Sequence, residues 1–245
     1  MKYFILTLIV FLSFSVSAQW EKTGWQCEHP FGAGYANEDS VLFISSNKLV
    51  ETSDFGKNFD PNPIDLELFR TGYLLKHGNN LFAGRHYSTN NGESWHEAEF
   101  EGDEHYQVET AVSHGNKFFI ATHDKIIESD NFGKTWTKNE NFNKDTVFLI
   151  ENIASSNGNL IVSSYGDLSN STDNGNSWNS VNDNINTKYN NLPHIATTGD
   201  LIATSTSGDT YNGSINEMHI TTDLGETWEK SQDPPFKDVY SYTIH

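Results

Sequence analysis

Five stretches of this chain align on a glycine, and no other feature restricts its fold as much. They read Thr52-Ser-Asp54-Phe-Gly56-Lys-Asn58-Phe59, Ser88-Thr-Asn90-Asn-Gly92-Glu-Ser94-Trp95, Ser129-Asp-Asn131-Phe-Gly133-Lys-Thr135-Trp136, Ser171-Thr-Asp173-Asn-Gly175-Asn-Ser177-Trp178 and Thr221-Thr-Asp223-Leu-Gly225-Glu-Thr227-Trp228. Successive glycines lie 36, 41, 42 and 50 residues apart. Self-similarity at such a period marks stacked supersecondary units, each needing its neighbours to bury an apolar face. The chemistry is that of a tight turn. An Asp or Asn two residues before the glycine folds its side chain onto nearby backbone N–H groups, and the glycine takes positive φ without steric cost. The Ser or Thr hydroxyls satisfy further amides, and the aromatic that follows starts a strand and pins the hairpin by burying its ring.

This unit resembles the Asp-box, or BNR repeat, Ser-x-Asp-x-Gly-x-Thr-Trp. The chain is thus similar to the Asp-box β-propellers, a group that includes sialidases, xyloglucan-cleaving glycosidases, the sortilin ectodomain and photosystem assembly factors. Copies three to five match well; copy two has Asn90 for Asp, and copy one carries Asn58-Phe59 for Thr-Trp. The resemblance implies an all-β propeller of four-stranded blades, with each box on a peripheral hairpin between third and fourth strands, away from any active site. The boxes are expected to be structural.

Strand signals precede each box. Val108–His114, Lys117–Thr122 and Lys125–Ser129 are separated by Gly115-Asn116 and His123-Asp124, turn residues between short apolar runs. The same order recurs over Glu151–Ser155 and Asn159–Ser164, over His194–Thr198 and Leu201–Thr206, over Gly72–His77 and Leu81–Gly84, and over Ala33–Asn37, Val41–Ser45 and Lys48–Thr52. A longer polar loop, Ser207–Glu217, is expected before Met218–Thr221. No stretch carries a helical period. Blades are expected over roughly 31–62, 71–100, 106–140, 150–182 and 193–232, with a partial blade of 238–245 joined by 19–24. That last feature predicts a ring of six or more blades, incomplete at its C-terminal end; the alternative is a five-bladed ring with short tails.

The N-terminus sets the expected compartment. Lys2 is followed by an apolar run from Tyr3 to Phe14 and by the small-residue site Val16-Ser17-Ala18, which reads as a secretory signal cleaved before Gln19. Residues 19–245 would then form the propeller, secreted or periplasmic, with no transmembrane anchor left after cleavage. With Lys2 gone, 14 basic against 33 acidic side chains leave a net charge of −19, which excludes nucleic acid as a natural partner and disfavours anionic lipid. Cys27, the one cysteine, makes no internal disulfide and no zinc or redox pair.

No catalytic set assembles from the residue types. The sialidase resemblance implies a clamp of three arginines on a substrate carboxylate, but the chain has only Arg70 and Arg85. A glycosidase needs two carboxyl groups about 5–10 Å apart, for which Asp124, Asp167 and Asp209, with Glu104 and Asp145, are the loop candidates. The histidines show no metal-ligand spacing, and nothing calls for a cofactor. A binding face is the more economical expectation. Arg85, His86, His123, Tyr165, Asp167, Asp209 and Tyr211 all fall between second and third strands, and aromatics flanked by polar groups suit a glycan or protein ligand. The sequence therefore points to a non-catalytic binding or scaffold propeller. The alternatives are a glycoside hydrolase-like enzyme or its inactive relative, and an assembly factor for a membrane complex. The oligomeric state is left open.

Overall fold

A computed structural model describes residues 31–36, 41–45, 48–52, 58, 64–65, 73–102, 108–142, 148–165, 167–181, 185, 191–199, 201–210 and 213–231. The expected signal segment at 1–18, the partial blade at 19–24 and 238–245, and Cys27, Arg70, Glu104, Asp145 and Tyr211 lie outside the described residues. Among the described residues every regular element is a strand.

The strands fall into antiparallel meanders. The first is β1 (Phe31–Ala36), β2 (Val41–Ser45), β3 (Lys48–Thr52) and β4 (Ile64–Asp65). The second is β5 (Leu74–His77), β6 (Asn80–Ala83), β7 (His86–Ser88) and β8 (His96–Glu97), after which β9 (Glu99–Phe100) leads out of the sheet. The third is β10 (Val108–His114), β11 (Lys117–Thr122), β12 (Ile126–Ser129) and β13 (Thr135–Lys138). The fourth is β14 (Phe148–Ser156), β15 (Asn159–Tyr165), β16 (Asp167–Ser171) and β17 (Asn179–Ser180). The fifth is β18 (Asn191–Thr198), β19 (Leu201–Thr210), β20 (Gly213–Thr221) and β21 (Glu229–Lys230). β9 runs parallel beside β13, and the single bridge Tyr165↔Asn191 merges the fourth and fifth meanders into one sheet.

The middle strands explain why the sequence shows continuous apolar runs rather than clean alternation. In β11, Phe118 and Ile120 join Leu75, Phe82 and Trp136 in one buried cluster, whereas Phe119 and Ala121 join Ile150, Ile153 and Leu160 in another. Successive side chains of a strand point to opposite faces, so a strand sandwiched between two sheets must be apolar on both. β15 does the same, sending Leu160 and Val162 one way and Ile161 the other, toward Ile195, Ile202 and Trp228. Each cluster is built from two consecutive meanders, so the core is a series of seams. The first strand of each meander also contacts the first strand of the next, from β1 to β5, β10, β14 and β18. First strands side by side with short fourth strands outside them is the arrangement of propeller blades about an axis.

Buried side chains bind the seams together. Asn139 donates to the carbonyl of Gly175 (2.9 Å), and Asn170 to that of Leu224 (2.9 Å). His114 Nδ1 meets Ser155 Oγ at 2.8 Å, joining the ends of β10 and β14. The Ser156 hydroxyl bonds the Gly199 carbonyl, and Thr197 Oγ1 donates to the carbonyl of Ser155 (2.9 Å).

One expectation is corrected. Ser207–Glu217 is not a loop: the β19–β20 register continues through Ser207↔Asn216, Gly208↔Ile215 and Asp209↔Ser214 to Thr210↔Gly213. The polar composition that suggested a loop is that of a two-stranded antiparallel ribbon, which backbone pairing holds without apolar alternation along its strands.

Candidate functional site

The repeated motif occupies the turn between third and fourth strands in the second to fifth meanders, as Ser88–Trp95, Ser129–Trp136, Ser171–Trp178 and Thr221–Trp228. The third copy shows how it works. Ser129 Oγ donates to Asn131 Oδ1 (3.0 Å) and accepts from the Gly133 N–H (2.7 Å), while Asn131 Oδ1 also accepts from the Thr135 N–H (2.9 Å). With Oδ1 thus committed to donors, Asn131 Nδ2 is left to donate to Thr135 Oγ1 (2.8 Å). The Trp136 indole N–H closes the turn on the Gly133 carbonyl (3.1 Å). In the fourth and fifth copies the contact between the box's Asp side chain and the following hydroxyl reverses. The Ser177 hydroxyl donates to Asp173 Oδ2 (2.7 Å), and the Thr227 hydroxyl to Asp223 Oδ2.

These bonds stabilise the ionised carboxyls. Hydrogen bonds from the Thr221 and Thr227 hydroxyls and the Thr227 N–H hold Asp223 down at about 2. Asp173 is lowered chiefly by the Ser177 hydroxyl and then by the Ser177 N–H. The glycine is not alone in the left-handed region, because the residue before it is there too: Asn91, Phe132, Asn174 and Leu224 have φ of 57°, 59°, 58° and 63°. For Phe132 and Leu224 this is strained, and packing holds them. Phe132 stacks on His77 at 5.0 Å, and Leu224 packs against the cluster of Ile161 and Ile195. The boxes are therefore seams between sheets, and their side chains are consumed by structure.

The opposite ends of the second strands, where the turns to the third strands lie, carry the candidate ligand residues. Arg85 sits in the β6–β7 turn, but its guanidinium lies 4.7 Å over the Phe100 ring and its carbonyl accepts from the Ala98 N–H (2.7 Å). It clamps the chain leaving its own sheet rather than reaching into solvent. His86 is the first residue of β7 and half-buried, its Nδ1 without a hydrogen-bond partner among the described residues. His123 is exposed in the β11–β12 turn, and its carbonyl accepts from the Ile150 N–H (3.1 Å). Tyr165 ends β15 and Asp167 begins β16, so neither is in a loop interior. Asp167 accepts from Ser180 Oγ (2.8 Å) and Ser169 Oγ (3.0 Å), and Asp124 from Thr122 Oγ1 (3.2 Å). Asp209 lies in the β19–β20 ribbon opposite Ser214. The turns thus gather these residues at one end of the strands, while engaging Arg85, Asp124 and Asp167 internally.

A second set of residues at the same end was not anticipated. The first strands break register where they pair with the ends of the second strands: between Phe31 and Ala33, between Val108 and Thr110, from Phe148 through Ile150 to Asn152, and between Asn191 and His194. These β-bulges re-aim Glu109 and Leu149. Tyr73, just before β5, lies near enough for Glu109 to act on it; its hydroxyl is raised above the ordinary phenol range by burial and then by that carboxylate. Bulges leave no mark in residue type, so the pattern of the sequence does not reveal them.

Comparison with solved structures places this geometry among propellers. YCF48 bound to D1 peptide aligns with TM-score 0.57 at 18% identity, over 83% of this chain and 70% of that one. The Niastella koreensis GH74 enzyme aligns with TM-score 0.53 at 21% identity, over 80% of this chain and 30% of the enzyme. The extracellular domain of the putative one component system BT4673 from B. thetaiotaomicron gives 0.57 at 9% identity, over 87% and 29%. At these identities the likeness establishes the fold, and the chain spans less than a third of the last two proteins. No curated protein sequence matches the chain. In sequence, the DUF6242 beta propeller domain matches residues 71–215. With that match covering more than half of its length, and stacked antiparallel meanders of the expected kind beneath it, the chain belongs to the DUF6242 beta propeller domain family.

Proposed function

We propose that this chain is an exported, non-catalytic propeller that holds a protein or glycan partner on the face carrying the second-to-third-strand turns. The observation that carries the reading is the β19–β20 ribbon. Beyond the Asn191↔Ser207 bridge its two strands run on alone for three pairs, about 10 Å at strand rise, at the end where His123 and Asp167 also lie. An outgrowth of one hairpin at a loop face is how a repeated scaffold acquires a contact surface without altering its core. The acids on this face speak against hydrolysis, since Asp124 and Asp167 already serve their own turns. The YCF48 structure with a bound D1 peptide supports the binding reading by analogy of fold.

The test replaces Gly208–Ile215 with a two-residue Asn-Gly turn in the exported chain, which keeps Ser207 paired with Asn216. Cross-linking to envelope extracts and glycan-array binding are expected to fall, while the melting temperature stays within about 2 °C, as befits a surface excision. Turnover of chromogenic glycosides that Asp167→Asn abolishes would overturn the non-catalytic reading. Export itself predicts that N-terminal sequencing of the secreted product starts at Gln19.

A further inference from the structure

Leu149 combines two features that rarely coincide. It is a large apolar residue with 38% of its surface exposed, and its φ is +58°. The other non-glycine residues with positive φ among the described ones belong to the boxes or to the Asn157-Gly158 turn, where the chain must reverse. Leu149 is in no such turn. It stands at the start of β14 inside the first of two register shifts that flank Ile150, and the kink sends Ile150 into the core at 2% exposure while holding Leu149 out. An exposed leucine alone is ordinary. One held out on strained backbone is not.

Its surroundings are acidic. Ile150 N–H binds the carbonyl of His123, placing Leu149 beside the β11–β12 turn with exposed His123 and Asp124. Glu151 follows on the same strand, partly exposed. β10 lies next to β14, and its bulge at the same end presents Glu109, with Tyr73 within its field. The first strands therefore form a rim in which an exposed leucine shares one end of the strands with Glu109, Asp124 and Glu151, on a chain of net charge −18. An aliphatic side chain offers little to sugar hydroxyls, whereas it fits an apolar peptide side chain, and the carboxylates fit a neighbouring cation.

We propose that this rim, with Leu149 as its apolar contact and Glu109 and Glu151 as its charged flank, docks an extended peptide carrying an apolar residue next to a lysine or arginine. The inference rests on the binding reading above and narrows its partner to a cationic peptide segment. The probe is an array of short synthetic peptides in which Leu, Ile or Phe is set beside Lys or Arg, beside Glu, or beside Ser. The full exported chain is expected to retain apolar–basic peptides about tenfold better than their acidic isomers, with retention falling as salt rises. Leu149→Gly is the decisive variant, since glycine takes this φ freely and the fold is kept or stabilised. It is expected to lower retention about tenfold with the melting temperature unchanged or raised, and Glu109→Gln to lower it about threefold. If Leu149→Gly raises the melting temperature and leaves retention as it was, the rim is only a backbone kink and the proposal falls. Peptide retention lost on shortening the β19–β20 ribbon but indifferent to Leu149→Gly removes the rim while keeping the binding reading. Retention of glycans with no peptide bound does the same. A failure of both arrays and of envelope cross-linking removes both readings.

Discussion

The second and third boxes fold by the same hydrogen bonds and differ in what they lean on. In each, a serine hydroxyl bridges Asn and Gly, the Asn amide reaches the next hydroxyl, and the indole N–H closes on the glycine carbonyl. Yet Trp136 is 1% exposed, wedged 4.7 Å from Phe82 and stacked 5.9 Å from Phe100, whereas Trp95 is half-buried. The glycines differ likewise. A Cβ on Gly133 would lie 2.6 Å from Phe82, while one on Gly92 would find nothing closer than Leu81 at 3.4 Å. The turn is a local device. The depth of its wedge depends on the sheet that precedes it.

Truncating the wedges should expose the contrast most strongly. Trp136→Ala is expected to cost about 3–5 kcal/mol in urea unfolding, against about 1–2 kcal/mol for Trp95→Ala, in proportion to buried area. Equal losses would show that the indole acts within its own turn and not across the seam. Next in size come the glycines. Gly133→Ala combines an unfavourable φ of +89° with the clash on Phe82 and should cost about 2–3 kcal/mol, while Gly92→Ala, at φ +92° with room for its methyl, should cost about 1 kcal/mol.

A smaller effect separates the Asn boxes from the Asp boxes. Asp173 and Asp223 titrate below their unfolded range, Asp223 at about 2, so their contribution to stability is present above pH 4 and is lost as pH falls through the folded values. Asn90 and Asn131 contribute no such dependence. The double substitution Asp173→Asn, Asp223→Asn should therefore move the acid-unfolding midpoint to lower pH, and an unchanged midpoint would place acid lability elsewhere. The smallest effect concerns the seam between β10 and β14. Burial pushes His114 below the ordinary imidazole value of 6.5, so the unfolded chain takes up the proton first. Stability is then complete above pH 6.5 and declines as pH drops toward the folded value, and His114→Gln should flatten that slope in pH-dependent melting curves.

Strand placement was legible wherever turn residues bracket an apolar run. β2, β3, β10 and β11 begin and end as read from the pattern, because Gly115-Asn116 and similar pairs punctuate them. β19 and β20 were read short, since Ser207, Gly208 and Asp209 are loop-like by composition and only pairing with Asn216, Ile215 and Ser214 makes them a strand. Turn position is what nominates the candidate face, with Arg85 and Asp167 among its ligand candidates. The ring of Phe100 and the hydroxyls of Ser169 and Ser180 that engage them have no sequence signal. The bulges at Leu149 and Glu109 have no sequence signal, because a bulge is a disagreement between two strands and not a property of either.

What the residues alone determined is the set of contacts made within four positions: Ser to Asn or Asp, Gly to Ser, hydroxyl to Asn or Asp, and the reversals they enforce. These need no distant partner, so their chemistry repeats wherever the motif repeats. The tertiary structure decided everything that spans a seam: Asn139 to Gly175 over 36 positions, Trp228 to Val181 over 47, Asn170 to Leu224 over 54. Such contacts form only after sheets have stacked, and they settle how deep each indole goes, which charged groups stay available, and where the backbone is strained enough to hold a leucine out in water.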